Sequence, residues 1–191
     1  MQHENIISGK TEDEVWEQIT SEFSKNPDLL EYSAIINHDD RKIVLDIDID
    51  LGGGFESGYE TTTFTAPLHT LPAFKFAIHR EHFTDEIGKF FGMQDVVIGY
   101  EEFDDKLVIK TNDEARVREV FSDASVRATF LNLDDFTFGI TTHHTSDDHL
   151  KHPFLELRID MGITDPIELR KIYSAFYSVL TAIDTAEVTT S

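Results

Sequence analysis

Ile43-Val44-Leu45-Asp46-Ile47-Asp48-Ile49-Asp50-Leu51 decides the fold class. Ile43, Leu45, Ile47, Ile49 and Leu51 fall on one side of an extended chain, and Asp46, Asp48 and Asp50 fall on the other. Side chains of a strand alternate between its two faces, so a period of two means one buried and one wet face. That pattern is typical of an antiparallel sheet, because purely parallel sheets are covered on both sides.

The same period recurs on both sides of this stretch. Tyr32, Ala34 and Ile36 alternate with Ser33, Ile35 and Asn37, and His38-Asp39-Asp40-Arg41 supplies turn residues between the two runs. Downstream, Tyr59 to Ala66 is β-branched and Thr-rich, and Phe74, Phe76 and Ile78 share one face of 73–79. These four runs are expected to form a meander, broken by a flexible Gly52-Gly53-Gly54 bend. A short strand is expected over 106–110. Phe136, Phe138 and Ile140, then Leu155, Leu157 and Ile159, form two more strands joined by a polar loop over 143–152.

Helices are marked by caps and by an apolar stripe. Thr11-Glu12-Asp13-Glu14 is a capping box, with Val15, Trp16, Ile19 and Phe23 at helical spacing after it. Asp165-Pro166-Ile167-Glu168 combines an N-cap, a Pro in the first turn and an acidic residue. Leu169, Ile172, Phe176, Leu180 and Ile183 then make one apolar stripe. Shorter helices are expected from Thr84 to Phe91, from Asn112-Asp113 to Phe121, and near 124–132. The expected whole is a single α+β domain over 1–191. It has a mostly antiparallel sheet of about seven strands, with the long C-terminal helix packed on its apolar face. Residues 1–10 and 185–191 are expected to be disordered.

Composition bounds the function. The 191 residues are 40% hydrophobic and 28% charged, which supports a real core, and 15 Phe against one Trp make much of that core aromatic hydrocarbon. Net charge is −21, from 16 basic and 37 acidic residues. Such a surface repels nucleic-acid phosphates and anionic membranes, so neither is expected as a partner. A basic protein partner or self-association is what the charge and the sheet leave open. Without Cys, disulfides and thiolate chemistry are excluded. Met1 to Lys10 lacks a basic start followed by an apolar run, so a cytoplasmic location is expected.

The segment Phe90-Phe91-Gly92-Met93-Gln94-Asp95-Val96-Val97-Ile98-Gly99, with Phe103-Asp104-Asp105-Lys106-Leu107-Val108-Ile109-Lys110 and Asn112-Asp113-Glu114, resembles one found in an uncharacterised group of bacterial and archaeal domains. The likeness covers about 76–122 and implies no activity and no functional residues. Physically, Gly92 and Gly99 permit tight turns, Phe103 and Leu107 anchor a loop, and Asp104 and Asp113 are placed to accept neighbouring backbone N–H bonds. That is the signature of a scaffold.

Four constellations could carry chemistry. His143, His144, Asp147, His149 and His152 sit within ten residues, and imidazole with carboxylate suits zinc, nickel or copper. Their spacing matches no established zinc signature, and a solvated polar loop is the plainer reading. Asp46, Asp48 and Asp50 share the start of a calcium loop, but its sixth and twelfth positions hold Leu51 and Ser57. On a strand these carboxylates repeat every ~6.8 Å, too far apart to converge on one ion. They should instead face water, meet Lys75 or Arg158, or dock a basic partner. The glycines of 52–58 lack the Lys of a phosphate loop. Phe74, Phe76, Phe136, Phe138 and Phe176 could wall an apolar ligand cavity between sheet and helix.

No nucleophile elbow surrounds Ser57 or Ser122, His79 and His82 read as capping or buried histidines, and no cofactor motif appears. No catalytic residue is assigned and no cofactor is expected. The leading expectation is a non-enzymatic accessory or interaction domain. A carrier of a small apolar ligand comes next, and then a metal-dependent enzyme using the loop at 143–152.

Overall fold

A computed structural model describes residues 5–53, 57–68, 73–80, 93–144 and 151–187. In chain order the elements are β1 (Asn5–Gly9), α1 (Glu12–Lys25), β2 (Glu31–His38), β3 (Arg41–Asp50), β4 (Tyr59–Pro67), β5 (Phe76–His79), β6 (Gln94–Asp95), α2 (Glu101–Lys106), β7 (Val108–Thr111), α3 (Glu114–Val120), α4 (Ala124–Leu131), β8 (Phe136–His144), β9 (Lys151–Ile159) and α5 (Pro166–Glu187). The fold is α+β, with one mostly antiparallel sheet and a long C-terminal helix against it.

The sheet has nine strands in the order β1-β2-β3-β4-β9-β8-β5-β7-β6, against the seven expected. The two added strands lie at its edges. β1 comes from the N-terminal residues expected to be disordered, and it pairs parallel to β2. Five residues with one Ile pair show too little alternation to announce a strand. β6 is only Gln94–Asp95, beside β7.

The expected four-strand meander is corrected too. β2, β3 and β4 are consecutive neighbours, but the β8–β9 hairpin stands between β4 and β5. Its arms continue through His144 and resume at Lys151, so the expected loop is shorter than 143–152. Strand β7 begins two residues later than expected, because Glu101–Lys106 forms a helical turn. At the far end the chain is helical to Glu187. The helix expected at 84–91 lies outside the described residues, as does the tail from 188.

The caps work through the expected residues. Glu14 N–H donates to Thr11 Oγ1 at 3.3 Å, while the Glu14 carboxylate reaches past the cap to Lys10 N–H at 2.7 Å. Asp165 Oδ1 accepts from Ile167 N–H and Glu168 N–H, so two orphan donors of α5 are satisfied. In the 93–114 segment, Asp104 accepts from Ile98 N–H and Gly99 N–H, Gly99 has φ +84°, and Asp113 caps α3 through Arg116 N–H. Phe103 and Leu107 are buried, as expected of residues that anchor this loop on the core.

The five described helices share one side of the sheet. Phe176 of α5 lies 5.8 Å from Phe64 of β4 and 5.9 Å from Phe138 of β8, ring centre to ring centre. Trp16 of α1 meets Tyr173 edge-on at 5.5 Å, and Phe130 of α4 stacks on Phe138 at 4.7 Å. Phe121, at the end of α3, touches Phe103 of α2 and Phe76 of β5. Burying each such side chain stabilises the fold by roughly 1.5–3 kcal/mol. Arg80 closes this layer by donating to the carbonyls of Leu131, the last residue of α4, and of Leu133 just beyond it.

Candidate functional site

With the described helices on one side, the outward residues of the strands form a second face, helix-free among the described residues. The pairing register places Ile6, Ile35, Val44, Thr65 and Glu156 in one transverse row. The next row holds Ser33, Asp46, Thr63, Arg158, Thr137 and His79. Asp48 and then Asp50 follow along β3, and both are exposed like Asp46. The sequence period therefore puts three carboxylates in line on the outside of the third strand from an edge.

Each carboxylate has a local donor. Asp46 Oδ1 accepts from Ser33 Oγ at 2.6 Å, Asp48 Oδ2 from the Tyr59 hydroxyl at 2.8 Å, and Asp50 Oδ1 from Gly52 N–H at 2.9 Å. All three carboxylates are exposed to water, one of the expected surroundings, and the alternative contact with Arg158 is not made. Arg158 stands two strands from Asp46, roughly 9.6 Å away at the usual strand spacing, and its Nε donates to Asp160 instead, at 3.1 Å. Asp48 holds the Tyr59 phenol above its ordinary pKa, because ionising it would set a second negative charge against a carboxylate.

At the end of this face a cleft of about 590 Å³ is lined by Asp50, Leu51, Gly58, Tyr59, Glu60, Thr61, Arg158 and Asp160. Gly58 is required there, since a Cβ would stand 2.3 Å from the Asp50 carbonyl oxygen. Three carboxylates against one guanidinium make its walls net negative. Tyr59, half exposed, adds an aromatic face suited to a cation. The arrangement can bind positive charge, and its described lining residues include no paired nucleophile and base.

The other sequence candidates fall elsewhere. Phe76, Phe136, Phe138 and Phe176 are fully buried, and Phe74 is half-buried against Phe76. The rings occupy one another's surroundings: Phe138 alone contacts Phe76, Phe121, Phe130 and Phe176. A second cleft of about 360 Å³, between the end of α4 and the start of α5, is lined by none of the five. Of the metal candidates, His152 is half-buried on β9, and its backbone is in register with that of His143. The side chains of His143 and His144, and all of Asp147 and His149, lie outside the described residues. Among the described residues no group of three or more His, Asp or Glu is placed to hold a metal.

A buried polar cluster escaped the sequence reading. His38 and Arg41, taken as turn residues, are the inward-facing ends of β2 and β3. His38 Nδ1 lies 2.8 Å from the Tyr173 hydroxyl, and its ring stacks on Tyr177 at 4.3 Å. Arg41 pairs with Asp184 and lies over the Tyr177 ring. Burial lowers the His38 pKa below its ordinary value, against the pull of Glu12 and Asp39. Only pairing of residues far apart in sequence could have exposed this cluster. His79 is buried on the other face, with Nδ1 against the Arg80 carbonyl and Nε2 without a partner among the described residues.

No helix among the described residues is long and apolar enough to cross a membrane. Comparison of the chain with family models, with curated proteins and with solved structures finds no match.

Proposed function

We propose that this chain is a non-enzymatic, cytoplasmic protein-interaction domain that docks a basic segment of a partner protein on the helix-free face of its sheet. The observation that carries this reading is the line of Asp46, Asp48 and Asp50 on a face that no described helix covers. The described helices bury the core from one side, and the outward residues of β2 and β3 keep partial or full exposure, which leaves that part of the face free to serve recognition. A net charge of −21 raises the encounter rate with a cationic partner and disfavours nucleic acid. The acidic cleft beside Tyr59 extends the same surface.

Calorimetric titration with a lysine nonapeptide tests the proposal. Binding is expected to weaken as salt rises. It is also expected to weaken when Asp46→Asn, Asp48→Asn and Asp50→Asn are combined, since each amide keeps an acceptor for its local donor. Equal affinity for the triple variant and the parent chain contradicts the proposal.

A further inference from the structure

We infer that β1 is a docking edge, and that its occupant is an extended, basic segment of a partner protein added as a tenth strand to the nine-stranded sheet. The inference shares the basic partner of the reading above but goes beyond it: the segment sits on the sheet edge with its cations toward α1, apart from the line of Asp46, Asp48 and Asp50.

Asn5–Gly9 contains no charge and no Pro, the usual devices that keep a sheet edge from pairing. The opposite edge differs: β6 is two residues long, and its Asp95 is ion-paired with Lys110. The Gly9 carbonyl accepts from Asp39 N–H, so Gly9 faces the β2 side. Alternation along the strand then turns the backbone groups of Ile6 and Ser8 outward, to the open side. The Ser8 carbonyl is held by Gln18 Nε2 of α1 at 2.8 Å, which fits that orientation. No described strand pairs with the remaining outward groups. Ile6 is 60% exposed beside them.

Charge selects the occupant. Glu14, Gln18 and Glu22 run along α1 over this edge, bonded respectively to Lys10 N–H, the Ser8 carbonyl and the Asn5 side chain. Both carboxylates use Oε2, and neither Oε1 has a partner among the described residues. Eight helical residues separate Glu14 from Glu22 by ~12 Å, close to the span of four residues of strand. An added strand with alternate Lys or Arg turns those cations to α1 and its apolar residues to Ile6. A second copy of the chain brings Glu14 and Glu22 against their own duplicates instead, on a molecule already at −21. The basic segment is therefore favoured over self-pairing.

The test uses the full chain, labelled with ¹⁵N, and an end-blocked peptide of alternating Lys and Val, nine residues long. The peptide is expected to slow amide exchange at Ile6 and Ser8. Ser8→Pro removes an outward donor at an edge that tolerates Pro, and is expected to weaken binding on the order of tenfold. Glu14→Lys, on the helix surface, is expected to weaken it too. Slowed exchange around Asp46 and Asp48 with Ile6 and Ser8 unchanged overturns the docking edge and leaves the acidic-face reading standing. No binding at low ionic strength overturns both. Slow exchange at Ile6 and Ser8 without peptide, in a species of twice the monomer mass, assigns the edge to a second copy and overturns the inference.

Discussion

His38 Nδ1 and the Tyr173 hydroxyl stand 2.8 Å apart inside the core, joining β2 to α5 across 135 residues of chain. With Nδ1 accepting, the imidazole is neutral and carries its proton on Nε2. Burial disfavours the charged ring, so His38 titrates below its ordinary value of 6.5. Below pH 6.5 the unfolded chain takes up this proton before the folded one does. The contribution of His38 to stability is therefore complete above pH 6.5, and it is lost as pH falls through the folded-state pKa. Following the His38 ring by NMR should give a midpoint under 6.5; a midpoint at or above 6.5 contradicts the buried, neutral assignment. Tyr173→Phe leaves Nδ1 unpartnered and should destabilise by about 1–3 kcal/mol in urea unfolding.

Backbone approach sets a second expectation. A Cβ on Gly139 would stand 2.4 Å from the Phe76 carbonyl oxygen and 2.9 Å from Ala77 Cα, both main-chain atoms of the neighbouring β5. Gly139→Ala must push β8 from β5, and should lower stability by about 1–3 kcal/mol or more. Gly53 is the control: a Cβ there meets nothing within 4 Å, and its φ is not positive. Gly53→Ala should be neutral or stabilise by up to about 1 kcal/mol. Thermal melts of the two variants check the contrast, and equal midpoints contradict it.

The helix-free face has its own spectroscopic reporter. Tyr59 donates to Asp48 and titrates above its ordinary value because of that bond, with Asp50 and Glu31 adding to the effect. In Asp48→Asn the phenol loses the carboxylate it is bonded to, so its midpoint should move down. Ultraviolet difference titration of the variant against the parent reads the shift. An unchanged Tyr59 midpoint places the hydroxyl elsewhere than on Asp48.

Much of this architecture was legible because local pattern and tertiary burial agree. In β3, α1 and α5, period and caps identify both the element and its buried face. The acidic line on β3 was legible for the same reason, as a strand period of two fixes which side chains share a face. β1 was not, since Ile6 and Ile7 are adjacent rather than alternating, and its hydrogen bonds come from a parallel partner beyond α1. α2 was hidden because Phe103 is its one buried residue, which leaves no stripe to detect. The place of β5 beside β8 depends on pairing across about sixty residues, and no local signal reports it. The His38–Tyr173 contact was silent in the same way, each partner looking ordinary in its own neighbourhood.

The central claim is that one sheet face is covered by helices and that the other, over β2 and β3, is open among the described residues. Methyl relaxation by a soluble gadolinium chelate measures this directly on the intact chain. Neighbouring residues of β2 and β3 supply matched pairs: Ile36 and Ile43 are fully buried toward the helices, and Ile35 and Val44 are half-buried on the other face. The methyls of Ile35 and Val44 should relax strongly while those of Ile36 and Ile43 stay protected. Equal protection of both sets would mean that the supposedly bare face is covered, and the docking surface would be lost with it.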